Sequence, residues 1–387
     1  MKAKRRVVPG SPRPQRTPTV RRIKPAITPV SSRRGPAGGV AGGSTPAPRG
    51  GPGAAEPADV LLDALGGRPV SLEVDLGRGL VLRNPVIAAA GPFGYGVEVA
   101  ELADLPRLGG LVTRGTTLKP RGGQPGPRIA EVPSGLLVGV GLQNPGIEAV
   151  LDRYAPAWAR FEVPVVLNLC GESSGDLVDM VRRLEGVPGI AGVELNLSCP
   201  NSSRGGLAFG LDADAAGSLV GAVRRTTDLP VLAKLTAAAA DIRAVARACE
   251  AAGADAISAI NTLPGLAVAP GRDAVALGAG YGGICGPALK PVALRVVYEV
   301  AQVVDVPVIG IGGVATVEDV LDLLAVGAVA VGVGVAALAD PMLPVRLADE
   351  LADCCRARGL TEVAALVGTA LPARTAPPST RGAEFGR

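Results

Sequence analysis

The chain has 387 residues, 48% of them apolar, so it is long enough to bury a large core as two ordinary domains or as one large α/β barrel. Its net charge of +4 is unevenly distributed, because 12 of the 39 Lys and Arg lie in residues 1–50, which contain no Asp or Glu. The remaining 27 basic and 35 acidic residues leave the rest of the chain at about −8, which argues against nucleic-acid binding by the body.

Both ends of the chain have the composition of disordered segments. Residues 1–58 are rich in Pro, Arg, Gly and Ser without hydrophobic periodicity, so we expect a disordered basic tail, and residues 371–387 return to that composition. The N-terminal tail is an inert extension, the result of a misassigned start codon, or a weak binder of an anionic partner. No apolar segment follows its arginine pairs, which argues against a secretory signal.

Between the tails, eight short apolar or β-branched runs alternate with Ala-rich helical patterns. The runs are VIAAAG (86–91), GLVTRGT (110–116), PVVLNLCG (164–171), GVELNLSC (192–199), PVLAKLT (230–236), AISAINT (256–262), PVIGIGG (307–313) and AVAVGVG (328–334). Buried strands that alternate with helices indicate a parallel sheet. Eight such units within about 250 residues predict an α/β fold of the (β/α)8 TIM-barrel type over residues 59–370.

Three further segments modify this barrel. Residues 71–85, SLEVDLGRGLVLRNP, predict an N-terminal hairpin that covers the bottom of the barrel. Two long insertions, residues 117–145 and 262–290, are expected at the C-terminal face, where the βα loops of barrels build their sites. The longest apolar run, residues 323–339, is short and interrupted by glycine, so it predicts a helix end leading into a buried strand and no membrane span.

The cysteines are scattered and the chain contains no histidine. They occupy positions 170, 199, 249, 285, 354 and 355, without a CxxC pair. This spacing argues against zinc or iron–sulfur ligation by the chain, so no metal site is expected. Reduced thiols are typical of the cytoplasm, which is the location that we expect.

Several predicted strands end in polar residues, which in a barrel point towards the site. These residues are Arg114, Asn168, Asn196, Lys234, Asn261 and Thr262. Amides together with two cations suit a flat heterocycle with an anionic edge. Lys234 is either a Schiff-base nucleophile or a cation facing a bound cofactor, since the sequence shows no evident carboxylate neighbour.

Glycines follow the last two predicted strands, in GIGG (310–313) and GVG (332–334). Barrels bind phosphate at this place on backbone N–H groups, although tight turns alone would also explain the glycines. Cys199, in the segment LNLSCPNSSRGGLAFG (195–210), follows the fourth strand on a possible lid. It is either a general base or a small buried apolar residue.

Several of these segments together resemble the class 1 dihydroorotate dehydrogenases, and most closely the class 1B catalytic subunit. The resemblance covers residues 70–360 and rests on NPVIAAAGPFGYG (84–96), TTLKPRGGQPGPRIAE (116–131), GLQNPG (141–146), LNLSCPN (195–201), AKL (233–235), INTLPG (260–265), GGICGPALKP (282–291) and GIGGV (310–314). LNLSCPN and GGICGPALKP are more specific than generic barrel turns.

The resemblance implies a set of site residues. FMN would contact Ala90, Gly91, Arg114, Asn168, Asn196, Lys234, Gly286, Gly312, Gly313 and Gly334, with its phosphate on the last three. Dihydroorotate would contact Asn196, Asn201, Asn261, Thr262, Gly141 and Leu142. Cys199 would remove a proton from its C5 while hydride leaves C6, with Arg114 as the second catalytic residue, and the product orotate would enter de novo pyrimidine biosynthesis.

The sequence departs from the family pattern mainly around the substrate. Arg114 stands where the family has lysine, Val138 where it has a substrate-binding asparagine, Val335 where it has threonine, and residues 237–239 read AAA where it has PNV. Arginine and lysine are not interchangeable. A diverged FMN oxidoreductase on another cyclic amide or carboxylate and a catalytically weak FMN-binding paralogue therefore remain alternatives. A Schiff-base lyase that uses Lys234 is a further alternative outside the family. The resemblance also implies a homodimeric core and an electron-transfer subunit that carries FAD and an iron–sulfur cluster.

Overall fold

The fold is built around a closed barrel of parallel strands, in a computed structural model that describes residues 69–197 and 209–372. In chain order the strands are β1 (Val74–Asp75), β2 (Val81–Leu82), β3 (Val86–Ala88), β4 (Gly110–Val112), β5 (Ile129–Val132), β6 (Gly135–Val138), β7 (Val165–Leu169), β8 (Gly192–Asn196), β9 (Val231–Lys234), β10 (Ala256–Ala259), β11 (Leu263–Gly265), β12 (Gly282–Cys285), β13 (Val308–Ile311) and β14 (Ala330–Val333). The helices are α1 (Ile147–Trp158), α2 (Ser174–Arg182), α3 (Ala213–Arg224), α4 (Ile242–Ala251), α5 (Lys290–Ala301), α6 (Val317–Ala325), α7 (Ala336–Ala339) and α8 (Leu343–Ala357).

The barrel contains the eight strands that the sequence predicted. Its order is β3-β4-β7-β8-β9-β10-β13-β14, and β14 pairs with β3 to close the ring. The strands are buried along their length, as in the run Val165–Leu169, because helices cover the outside and side chains fill the inside. The prediction of a (β/α)8 barrel is therefore confirmed.

The helices begin where the sequence provides side-chain caps. Ser173, Asp212, Asp241 and Thr316 each accept a hydrogen bond from a backbone N–H of the following first turn. Such caps pair donors that a helix N-terminus otherwise leaves open. The apolar run that begins at residue 323 is explained by the end of α6 followed by β14. Within residues 69–197 and 209–372, no helix is long and apolar enough to cross a membrane.

The predicted N-terminal hairpin is present and lies at the bottom of the barrel. β1 and β2 pair antiparallel, with Val74 opposite Leu82. The hairpin buries Leu80 and Leu82. These side chains lie against the first residues of β8 and β4, since a Cβ added at Gly192 or at Gly110 would lie 3.6 and 3.3 Å from them. The hairpin thus closes the end of the barrel opposite to the C-terminal face.

The two long insertions pair with each other, which the sequence did not predict. They form a four-stranded antiparallel sheet in the order β11-β12-β6-β5, in which Val138 of β6 faces Gly283 of β12. A Cβ added at Gly283 would lie 2.1 Å from the Thr262 hydroxyl, so the glycine permits this close contact. The insertions therefore form an ordered wall beside the C-terminal face of the barrel.

Candidate active site

A cavity of about 810 Å³ opens at the carboxyl ends of the barrel strands. Most of the residues that the sequence singled out line it: Ala90, Gly91, Arg114, Gly141, Leu142, Asn196, Lys234, Asn261, Thr262, Gly286, Gly312, Gly313 and Gly334. These positions are spread over most of the chain, and the barrel brings them to one end. A cavity of this size holds a cofactor or a small-molecule ligand.

One side of the cavity is formed by glycine backbone. Gly312 and Gly313 follow β13 with φ of 141° and 78°, values that L side chains rarely adopt. A Cβ at Gly313 would lie 2.7 Å from the backbone nitrogen of Lys290, so the two segments pack too closely for a side chain. At Gly91 and Gly334 an added Cβ would meet no atom of the described residues within 4 Å. Bare backbone at these positions lets a ligand approach the main chain closely, as a phosphate group requires.

The floor of the cavity carries a buried ion pair. Lys234, the last residue of β9, is 4% exposed, and its Nζ lies 3.6 Å from Oε2 of Glu194, which is 1% exposed. The expectation from the sequence that this lysine has no carboxylate neighbour was wrong. The ion pair favours a cation facing a bound cofactor over a Schiff-base nucleophile, because nucleophilic attack needs a free amine.

Asn168 occupies a different place from the one predicted for it. Its side chain is fully buried and does not line the cavity, and its Nδ2 donates a 2.5 Å hydrogen bond to Oε2 of Glu194. In the strand register, Asn168 lies opposite Glu194, whereas Asn196 lies opposite Lys234. Asn168 therefore lies one layer deeper in the barrel than Asn196. The structure therefore places Asn168 beneath the ion pair, where it supports Glu194, and not in the cavity wall that Asn196 lines.

A cluster of amides lies beside Lys234. Nδ2 of Asn261 donates to Oδ1 of Asn196 at 3.4 Å, and the backbone N–H of Thr262 donates to Oδ1 of Asn261 at 2.8 Å. Amide side chains both donate and accept, so this cluster matches the alternating N–H and C=O groups of a cyclic amide. Asn201 and Cys199, which the sequence analysis placed in the same site, lie outside the described residues.

Arg114 enters the cavity from the segment after β4. Its backbone N–H donates to the carbonyl of Gly94 at 2.7 Å, and its own carbonyl accepts from the hydroxyl of Thr113 at 3.2 Å. These bonds fix the backbone of Arg114, which is one of the residues that line the cavity. A fixed arginine is suited to binding a carboxylate or another anionic edge.

Two titratable groups at or near the site are held in their protonated form. Burial raises the pKa of Tyr95 to about 12, although the hydrogen bond between its hydroxyl and Thr116 opposes the shift. Burial also raises the pKa of Cys285, a cavity-lining thiol that donates to the Leu136 carbonyl at 3.4 Å. Neither group is suited to act as a base at neutral pH.

Sequence reasoning missed both Glu194 and Cys285. Glu194 stands between two apolar residues in VELNL, where an ionisable group inside a buried strand is itself a signal of a paired charge. Cys285 lies in the insertion, whose strand pairing with β6 carries it to the cavity. No local pattern in the sequence indicates that pairing.

Comparison with known proteins assigns the family. A family model described as dihydroorotate dehydrogenase matches residues 72–355. The chain belongs to the dihydroorotate dehydrogenase family. The family consists of flavin-dependent oxidoreductases that act on CH–CH donors, and the resemblance seen in the sequence is thereby confirmed.

Similar dihydroorotate dehydrogenases come from several bacteria. The catalytic subunit of dihydroorotate dehydrogenase B (NAD(+)) of Desulforudis audaxviator is 46% identical over 292 residues, which are 76% of this chain and 95% of the relative. The same subunit of Porphyromonas gingivalis is 41% identical over 300 residues, 78% of this chain and 98% of the relative. A crystal structure of dihydroorotate dehydrogenase from Eimeria tenella in complex with ferulenol superimposes with a TM-score of 0.66 at 21% identity. The match covers 81% of this chain and 93% of that one and shows that the fold is shared.

Three of the four departures from the dihydroorotate dehydrogenase pattern that the sequence showed lie in the cavity, whereas residues 237–239 do not line it. Arg114, Val138 and Val335 all line it. Val138 stands in β6, within an apolar stretch of the wall that also includes Leu136 and Val140. This side of the cavity therefore offers apolar side chains where the resemblance implies an amide, and it is the part of the site that differs most from the family pattern.

Proposed function

We propose that this protein binds FMN and oxidises dihydroorotate to orotate, a step of de novo pyrimidine biosynthesis. The observation that carries the proposal is that one cavity combines a bare glycine backbone, a buried lysine and a cluster of amides. Each matches one part of a flavin enzyme that acts on a cyclic amide: phosphate, ring and substrate. Membership of the dihydroorotate dehydrogenase family supports the same conclusion.

The cavity residues fit FMN. Gly312, Gly313 and Gly334 would hold the phosphate on their backbone N–H groups, and the open space where a Cβ at Gly334 would project supports this assignment. Lys234 would place its ammonium near the flavin ring, while Ala90, Gly91, Arg114, Asn196 and Gly286 would complete the contacts. When bound, FMN supplies the acceptor for the hydride that leaves C6 of the substrate.

The amide cluster would hold and orient the pyrimidine. Asn196, Asn261 and Thr262 would pair with its amide edges, and Gly141 and Leu142 would contact its other side. Asn201 belongs to the same predicted set. Arg114 would bind the anionic edge of dihydroorotate and hold its charge fixed during the reaction.

We assign the general base to Cys199. This thiol would remove the proton from C5 while the substrate is held by the amides. The protonated states of Tyr95 and Cys285 support the assignment, because burial raises the pKa of each group away from the range in which it could accept a proton. In a chain without histidine, a thiolate is one of the few bases available near neutral pH.

We further propose that electrons leave through a second subunit with FAD and an iron–sulfur cluster. The bacterial relatives are named catalytic subunits of an NAD(+)-dependent enzyme. Direct tests are co-purification of such a subunit with this chain and NADH formation by the mixture but not by the chain alone. Purification without a partner, together with full NAD(+) reduction by the chain itself, would contradict this proposal.

The catalytic assignment is tested by orotate formation with an artificial electron acceptor. The native protein should convert dihydroorotate, and Cys199→Ala should lower kcat at least about 100-fold, the usual contribution of a general base. Cys354→Ala, at a half-buried thiol of α8, is the matched control and should retain native turnover. Equal activity of Cys199→Ala and the native protein would exclude Cys199 as the base.

A further inference from the structure

Glu194 is a buried carboxylate whose role the proposed reaction leaves open. It lies in the middle of β8, inside the barrel and below the cavity, which its side chain does not line. Its Oε2 lies 3.6 Å from Nζ of Lys234, whose side chain does line the cavity. The carboxylate thus reaches the ligand space only through the lysine.

The carboxylate is itself held from the opposite side. Asn168 of β7 donates to the same Oε2 of Glu194 at 2.5 Å. The backbone N–H of Asn168 donates to the Thr113 hydroxyl at 3.2 Å, and its Oδ1 accepts from Sγ of Cys170 at 3.6 Å. Three adjacent strands, β7, β8 and β9, therefore contribute a line of polar groups that ends at the lysine.

This line has two physical consequences. A lysine buried without a counter-charge is costly, so the carboxylate permits Lys234 to remain at the cavity floor. The carboxylate also offsets the positive charge that a ligand above the lysine experiences, and at low local dielectric this offset is large. Both effects depend on the negative charge of Glu194 and not only on its shape.

We propose that Glu194 is a positioning residue that holds the Lys234 ammonium at the cavity floor and lowers the reduction potential of the flavin bound above it. An uncompensated cation stabilises the more negative, reduced flavin, and the buried carboxylate limits that stabilisation. This inference rests on the proposed flavin site. It assigns to Glu194 a function that neither the fold nor the amide cluster requires.

The test is the midpoint potential of the bound flavin in Glu194→Gln. Glutamine keeps the size of the side chain and an oxygen that accepts from Asn168, but it removes the charge. We expect the preference for reduced over oxidised FMN to rise at least tenfold, which for a two-electron couple is a shift of about 30 mV to more positive potential. Glu98→Gln is the control, because it removes one charge from an exposed carboxylate that lines the same cavity, and we expect a clearly smaller shift.

A double-mutant cycle tests whether Glu194 acts through the lysine. In a Lys234→Met background only the direct field of the carboxylate on the flavin remains, so Glu194→Gln should shift the potential less than it does in the native protein. A full shift in that background would overturn the positioning role, since the carboxylate would then act on the flavin directly. An unchanged potential in Glu194→Gln with normal flavin content would overturn the inference altogether.

A second variant at position 194 and the flavin content of the native protein complete the test. If Glu194→Gln fails to fold or to retain flavin, Glu194→Asp replaces it, since the shorter side chain draws the charge away from Lys234. We then expect a smaller shift of the same sign, and an unchanged potential would overturn the inference. If the native protein binds no flavin, the proposed function fails and this inference fails with it, a result that the variants alone could not produce.

Discussion

Gly334 offers a substitution that separates ligand binding from folding. Among residues 69–197 and 209–372, no atom lies within 4 Å of a Cβ added at this position, and the φ of Gly334 lies outside the positive range. Gly334→Ala should therefore leave the fold intact while it places a methyl group in the cavity. Gly122 is the matched control, because a Cβ there also meets no atom within 4 Å in the described part of the chain, but Gly122 is exposed and does not line the cavity.

The expected magnitudes follow from this geometry. At a compatible φ, replacing glycine by alanine stabilises a protein by about 0.4–1 kcal/mol through the unfolded state, so both variants should unfold at or slightly above the native temperature. The methyl group at position 334 should displace the phosphate from a backbone N–H. Losing one hydrogen bond to a charged group costs about 1.5–3 kcal/mol, which corresponds to about a 10- to 150-fold weaker Kd.

The assay is titration of flavin-free protein with FMN, followed by flavin fluorescence, together with thermal unfolding of the same samples. Gly122→Ala should bind FMN with native affinity, and Gly334→Ala should bind it at least about tenfold more weakly without loss of stability in the flavin-free state. Native FMN affinity in Gly334→Ala would refute the placement of the phosphate. A large drop in stability of flavin-free Gly334→Ala would refute the reasoning from open space.

Three other substitutions test separate parts of the account. Val138→Asn should raise kcat/KM for dihydroorotate about 5- to 150-fold, because an amide would pair a substrate group that now faces an apolar wall. A kcat/KM below that of the native protein would show that the apolar wall is part of a working site. The pKa of Tyr95 is raised to about 12, so its contribution to the free energy of unfolding is complete below pH 10 and disappears above the folded-state value. The native protein should therefore lose about 2–3 kcal/mol of stability as pH rises from 10 to 12, and Tyr95→Phe should not show this loss. Denaturant titrations in which both proteins lose equal stability over this range would contradict the prediction. Ser258→Ala should leave stability unchanged or raise it by up to about 1–2 kcal/mol, since the buried Ser258 hydroxyl finds no partner within residues 69–197 and 209–372. A loss of more than about 1 kcal/mol on chemical denaturation would indicate a hydrogen bond that the described part of the chain does not show.

The parts of the structure that the sequence predicted correctly are those with local signals. Each barrel strand is a short apolar run closed by a turn, and the hairpin before β3 shows the same local pattern. Gly312, Gly313 and Gly334 follow β13 and β14, Asn196 ends β8, and Asn261 follows β10. All five line the cavity, as expected from the convergence of strand ends in a barrel. Strand position alone was sufficient for those residues.

The parts that sequence reasoning missed depend on contacts between distant segments. β6 pairs with β12 across almost 150 residues, and neither insertion carries a pattern that names its partner. Asn168 looks like Asn196 in sequence, since both lie near the end of an apolar strand, but the barrel register places it one layer deeper, opposite Glu194. The stagger of the strands, which no single strand encodes, decides which of the two asparagines lines the cavity.

The central claim is that this cavity holds a flavin that dihydroorotate reduces, and an anaerobic visible spectrum of the purified protein tests it most directly. The account predicts a flavin spectrum that bleaches when dihydroorotate is added, with orotate formed in equal amount to the flavin reduced. A flavin spectrum that stays oxidised in the presence of dihydroorotate, or a protein without flavin, would contradict the claim.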